Sequence, residues 1–405
     1  MNKNNKKKVV LAYSGGLDTS AIIPWIKEKY KFEVIAFIAD IGQSEQDLIQ
    51  IKKKALQSGA ISAYVYDLKE EFVKKYIYPV LHTGALYEGE YLLGTAMARP
   101  IIAKKQIELA LQLNAHALCH GATGKGNDQV RFENVYTTFA PQLQIIAPWR
   151  EWDLNSRSDI INYLKKKNIP TEITFKKIYS RDENIWHVST EGGILENIWN
   201  QPKKDCWCWT TDPILAPNTP EEIHLKIKNG YIISINEKKY SYLKSLKKLN
   251  QIGSKHGIGR IDIVENRLIG MKSRGCYETP GGSIIVKALQ SLDQLILDRE
   301  SLKWKKQVGL EMSYTVYDGK WFSPLNQSLI DSMKSFTKRM TGEIVIQLFK
   351  GNITVLKKKS PYSLYSETYA SFEDNKNYNH TDAQGFIRIF TLPAKIRALK
   401  NKNKN

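Results

Sequence analysis

Cysteine is scarce in this chain. Cys119, Cys206, Cys208 and Cys276 are the only four in 405 residues, and no two of them stand in C-x-x-C spacing. Neither a disulfide framework nor a structural zinc site is therefore expected. Cys206-Trp207-Cys208 is the closest pair, and without a second cluster it supplies too few ligands for a metal, so no protein metal site is expected. Long apolar runs are missing too. Behind the basic first eight residues the hydrophobic stretch covers only residues 9–13, whereas a signal peptide needs about 7–15 apolar residues and a membrane span about 20. A cytoplasmic location with no membrane partner is the expectation. Acidic residues are in deficit, 41 against 60 Lys and Arg, for a formal charge of +19. Spread over roughly 16,000 Å² of surface, that excess puts neighbouring charges about 29 Å apart, well beyond a Debye length of about 8 Å. The basic runs are scattered, at residues 6–8, 52–54, 165–167 and 357–359, and all are lysine. This argues against a nucleic-acid surface, which needs clustered charge.

What the chain does have is a phosphate turn. Val9, Val10 and Leu11 read as a buried first strand, followed by Ser14-Gly15-Gly16 and a helix expected from Asp18 to Lys29. Adjacent glycines let the backbone approach an anion, and the helix start aims free N–H groups at it. Ser14, Thr19 and Ser20 add hydroxyls. The P-loop signature needs a lysine after its second glycine, where Leu17 stands, and the dinucleotide fingerprint G-x-G-x-x-G is absent. The pattern S-G-G-x-D-[ST]-[ST] resembles instead the motif of the ATP pyrophosphatase family, whose members cleave ATP between its α and β phosphates.

A chain of this length exceeds the size at which one core keeps growing, and two domains are expected. Up to about residue 170 strands and helices alternate. Strands are expected at 32–39, 62–66, 116–119 and 144–147, with a helix at 45–58, the rhythm of a parallel sheet. Ligands of such sheets sit beyond the carboxyl ends of the strands, where Ala39 and Gly121 fall. After Pro170 the pattern changes. A hairpin is expected at 223–235 around Asn229-Gly230, a helix at 241–256, strands at 258–286 and 343–356, and a longer helix at 325–340. Residues 393–405 form an apolar, then basic tail that frays unless it docks on another subunit.

A second polar loop, GATGKGNDQVRFE at 121–133, brings Thr123, Asn127, Asp128 and Arg131 together. Arg131 offers a planar fork to a carboxylate or phosphate, and Asp128 an acceptor to an ammonium group. A colinear set of segments then makes the likeness specific. AYSGGLDTS at 12–20, YLLGT at 91–95, Ala98-Arg99-Pro100, the loop at 121–133, APW at 147–149, DEN at 182–184, GILEN at 193–197, APNTP at 216–220, KHGIGRIDIVENRLIGMKSRG at 255–275, YETPGG at 277–282 and SPYSLY at 360–365 resemble the argininosuccinate synthase family over nearly the whole chain.

The resemblance implies a ligase that joins L-citrulline to L-aspartate through a citrullyl-adenylate, splitting ATP, carried with Mg²⁺, to AMP and pyrophosphate. It implies an α/β chain: an N-terminal parallel-sheet domain of adenine nucleotide alpha hydrolase type (residues 1–171), an α+β synthetase domain (172–390) and an oligomerisation tail (391–405) in a homotetramer. ATP would lie on Ala12, Tyr13, Ser14, Gly15, Gly16, Leu17, Asp18, Thr19 and Ser20, with Ala39 and Gly121. Aspartate would meet Thr123, Asn127 and Asp128. Citrulline would meet Tyr91, Asn127, Arg131, Ser180, Ser189, Glu265 and Tyr277. Asp18, Asp128 and Arg131 would be the catalytic groups. Ala96 stands where many family members have a serine beside citrulline, so only its backbone could serve there. An alternative from the same superfamily adenylates a tRNA base and inserts sulfur; it wants a reactive cysteine near the nucleotide loop, which is not recognisable. A further alternative keeps nucleotide binding without catalysis.

Overall fold

The first strands are short apolar runs with little alternation, which suits a sheet covered on both faces. The computed structural model describes residues 6–43, 48–170, 179–371 and 378–402. In it β1 (Lys8–Ala12), β2 (Glu33–Asp40), β3 (Ser62–Asp67), β4 (Ala117–Cys119) and β5 (Gln144–Ile146) form a parallel sheet in the order β3-β2-β1-β4-β5. Val10 lies between Ile35 of β2 and Leu118 of β4. Successive side chains point to opposite faces. Val10, Ile35 and Phe37 thus enter one core, and Val9, Leu11 and Val34 the other. The strand order reverses at β1, so the chain leaves β1 and β4 toward opposite sides and a crevice opens at their carboxyl ends.

Antiparallel sheets follow. The strands are β6 (Ser180–Glu183), β7 (Val188–Glu191), β8 (Glu221–Lys228), β9 (Tyr231–Ile235), β10 (Lys238–Lys239), β11 (Arg260–Asn266), β12 (Lys272–Glu278), β13 (Gly342–Phe349) and β14 (Asn352–Lys359). Their orders are β11-β12-β7-β6 and β10-β9-β8-β13-β14. In the second of these, Ile223, Leu225, Ile344 and Ile346 alternate inward and join the same core as one face of the parallel sheet. The expected hairpin is there, turning at Asn229 (φ 52°) and Gly230 (φ 78°), the left-handed pair that a tight hairpin favours.

Other expectations need correction. The strand expected to run to residue 286 stops at Glu278, and Pro280–Ile296 is a helix. Proline fits its first turn, and buried Ile284, Ile285, Ala288, Leu289, Leu292 and Ile296 recur at helical spacing. The single helix expected at 325–340 is two, Pro324–Ser332 and Lys334–Thr337, broken at Met333, whose ψ of −9° accompanies a buried side chain. The helix expected from residue 45 is seen as Leu48–Gln57; its start, the 171/172 boundary and residues 403–405 lie outside the described residues.

The first compact unit ends at Pro361 and a second begins at Tyr362. The second contains the helices Glu367–Ala370, His380–Phe390 and Leu392–Lys402, none with a buried residue. The expected tail is thus helical through residue 402.

Candidate nucleotide and amino-acid site

The turn after β1 takes its shape from glycine. Gly15 sits at φ +77°, and a Cβ there would stand 3.1 Å from Ile51. Gly16 is extended and precedes helix Leu17–Lys29, whose start has no side-chain cap. Its first N–H groups are therefore left for an anion. The Gly16 carbonyl accepts from the Ser20 hydroxyl at 2.8 Å, and the Gly15 carbonyl from Lys54 Nζ at 2.7 Å, which sets a cation beside the turn. Ala12, Tyr13, Ser14, Asp18 and Thr19 line a cavity of about 490 Å³, together with Ala39 after β2 and Gly121 after β4. Gly15, Gly16, Leu17 and Ser20 do not line it; Ser20 is buried, its Oγ 3.0 Å from the Tyr13 hydroxyl. Among the described residues no hydrogen bond reaches the Asp18 carboxylate, and burial raises its pKa against the pull of Arg157. An acid in that state suits an added cation.

The second wall is the loop ahead of helix Asp128–Phe139. His120 is fully buried; it accepts the Ala122 N–H on Nδ1 at 3.2 Å and donates from Nε2 to Glu133 at 2.9 Å, which fixes the loop. Thr123, Asn127, Asp128 and Arg131 all face the cavity. Asp128 accepts from Arg99 Nε at 2.9 Å and from Arg131 Nη1 at 3.0 Å. Burial pushes its pKa up, but the two guanidinium charges prevail and hold it below the usual carboxylate range. Arg131 also donates from Nε to the Tyr317 carbonyl at 2.9 Å. Two arms of its fork are thus spent inside the protein, and Nη2 has no hydrogen bond among the described residues.

The third wall comes from Tyr91 and from the β11-β12-β7-β6 sheet. Ser189 and Tyr277 are paired across β7 and β12, and Ser180 and Glu265 complete the face. Tyr91 and Tyr277 rings lie 4.4 Å apart, and the Tyr277 hydroxyl donates to Glu265 Oε1 at 3.2 Å. The Glu265 carboxyl is pushed up to about 7, first by burial and then by the charge of Glu191.

Ala96 does not face the cavity: it is fully buried in helix Gly94–Gln112, and its neighbour Thr95 lines the wall instead. Sequence reasoning gave no role to Arg99, Asp182, Glu191 and Arg267, which also line it. Arg99 Nη2 donates to Asp182 at 2.6 Å while its Nε holds Asp128, and Arg267 Nη2 donates to Glu191 at 2.6 Å. Arg99, Asp182 and Arg267 stand inside the motif segments at 98–100, 182–184 and 255–275, which is the available signal; Glu191 stands in none.

A glycine turn with an uncapped helix start at the switch point of a parallel sheet, opening on a polar cavity, is the architecture of a nucleotide-dependent α/β enzyme. Comparison with known proteins makes this particular. Residues 8–170 match the arginosuccinate synthase N-terminal HUP domain and residues 179–397 the arginosuccinate synthase C-terminal domain. The chain is 64% identical over 396 residues to the argininosuccinate synthase of Buchnera aphidicola subsp. Acyrthosiphon pisum (strain Tuc7), covering 98% of each. It is 60% identical to those of Erwinia tasmaniensis, over 99% of this chain and 100% of the other, and Serratia proteamaculans, over 100% of each. The chain belongs to the argininosuccinate synthase family. Among the described residues no helix is long and apolar enough to cross a membrane.

Proposed function

We propose that this chain condenses L-citrulline with L-aspartate to argininosuccinate, with ATP split to AMP and pyrophosphate, as a carbon-nitrogen ligase of arginine biosynthesis in the cytoplasm. The observation that carries the reading is one cavity that holds the phosphate turn on one side and Asn127, Asp128, Arg131, Glu265 and Tyr277 on the other. The ureido oxygen of citrulline is a poor leaving group. It first attacks the α-phosphorus of ATP, the bond to pyrophosphate breaks, and the aspartate amine then displaces AMP from the activated carbon. Such chemistry depends on placing three substrates and stabilising the departing pyrophosphate.

In this reading the turn from Ala12 to Ser20, with Ala39 and Gly121, takes ATP. Asp18 faces the pyrophosphate and the Mg²⁺ that travels with it, an ion that neutralises the leaving group. Thr123, Asn127 and Asp128 take aspartate, and the two arginines on Asp128 keep it ionised to receive the amine. Citrulline is taken by Tyr91, Asn127, Arg131, Ser180, Ser189, Glu265 and Tyr277. Residues 1–171 form the ATP domain, 172–390 the synthetase domain, and 391–405 an arm joining four copies.

The test is pyrophosphate release from ATP with citrulline and aspartate supplied singly and together, with mass detection of the product. Release that needs both amino acids and yields argininosuccinate is expected. A folded, ATP-binding protein that releases none would reject the reading and turn the search to tRNA substrates.

A further inference from the structure

The turn between β6 and β7 grips the start of helix Gly94–Gln112. Asn184 Nδ2 donates to the Gly94 carbonyl at 3.2 Å and Trp186 Nε1 to the Leu92 carbonyl at 2.9 Å. His187, fully buried, sits so close that a Cβ on Gly94 would fall 2.2 Å from its ring. Its Nε2 lies 3.2 Å from the Thr95 hydroxyl, and its Nδ1 has no partner among the described residues.

That orphan nitrogen settles which atom carries the proton. A proton on Nδ1 would bury an unpaired N–H donor. A proton on Nε2 leaves only a lone pair unmet, which is the smaller penalty. Burial also keeps the ring neutral, holding its pKa down at about 4. Nε2–H therefore donates to Thr95 Oγ1, and the Thr95 hydroxyl hydrogen is left to point elsewhere. Thr95 lines the cavity. Tyr91 follows the same logic: its Oη accepts the Thr95 N–H at 3.2 Å, which frees the phenolic hydrogen. Arg131, which lines the same cavity and whose Nη2 has no hydrogen bond among the described residues, adds a third donor.

We propose that Thr95 is a further citrulline-binding residue, its hydroxyl fixed as a donor by His187 and aimed, with Tyr91 and Arg131, at the citrulline carboxylate. His187 is the positioning residue. The assignment rests on the ligase reading, and it accounts for a site that works with Ala96 turned away from the cavity. With the Arg131 guanidinium among them, these donors favour a carboxylate over its amide, because the amide forfeits the charge-assisted hydrogen bond and one of two accepting oxygens.

Full-length wild type, Thr95→Val, Thr95→Ser, His187→Phe and His187→Gln are compared by steady-state kinetics, with thermal melts to confirm folding. Thr95→Val is expected to raise the citrulline KM about tenfold or more while the ATP and aspartate KM values stay within about twofold, and Thr95→Ser to recover most of the loss. His187→Phe should raise the citrulline KM, and His187→Gln, which keeps an amide N–H, should recover part of it. Wild type should use the carboxamide of citrulline many-fold less well, and Thr95→Val should narrow that preference. An unchanged citrulline KM in Thr95→Val, or three KM values rising together, overturns the proposal alone. Wild type that makes no pyrophosphate with citrulline and aspartate overturns the ligase reading and this proposal with it. If valine prevents folding, Thr95→Ala against Thr95→Ser supplies the same contrast.

Discussion

Glu265 shows how one carboxyl can be held away from its ordinary state. It is 95% shielded from solvent by its 5% exposure, Oε1 accepts from Tyr277, and Oε2 has no partner among the described residues. Burial, and then Glu191, put its pKa at about 7. The folded protein thus holds this proton more tightly than the unfolded chain, whose glutamate titrates near about 4.3. Below the unfolded value both states are protonated and this carboxyl sets no penalty on folding; the penalty builds as pH rises and is complete above about 7. Glu265→Gln copies the neutral form. It is expected to melt close to wild type at pH 4.5 and to be more stable by on the order of 2–3 kcal/mol at pH 8 in the absence of substrates. Equal stability at pH 8 would contradict this. The cavity-lining residues at 123–131 were legible because they crowd into one stretch of chain. Arg99 with Asp182, and Glu191 with Arg267, are 83 and 76 residues apart, and only folding brings such partners together.

At the scale of elements, the sequence spoke clearly where its pattern was local. The Gly15-Gly16 turn, the Asn229-Gly230 hairpin and the parallel strands carry their signals within a few residues. Helix Gly94–Gln112 does not: Gly94, Ala96, Met97, Ala98, Pro100 and Ile101 are all buried, so no apolar stripe marks it, and Pro100 sits inside. The stretch 280–286 read as strand because its Ile284, Ile285 and Val286 favour strands locally, while packing of one helical face decided otherwise. Gly94 joins these two levels. Alanine normally favours a helix over glycine by about 1 kcal/mol, yet the ring of His187 is locked against this position. Gly94→Ala should therefore destabilise the protein by about 1–3 kcal/mol in urea unfolding. A variant as stable as wild type would show that the turn between β6 and β7 yields freely.

At the scale of the whole molecule, the last helices leave Phe386, Ile387, Ile389, Phe390, Leu392, Ile396 and Leu399 exposed. A series of that kind suits the proposed arm, whose occupant would be a neighbouring copy. Deleting residues 393–405 should lower the mass measured by light scattering; an unchanged tetramer would reject the arm. The interior points to another property. The two family matches divide the chain between residues 170 and 179, but the hydrophobic interior does not, since Val10, Ile35 and Phe37 share one continuous core with Ile223, Leu225 and Ile344. Melting either part would strip the apolar cover from the other. Neither half is therefore a module that could be moved to another protein with its stability intact, because each would expose its share of that common core.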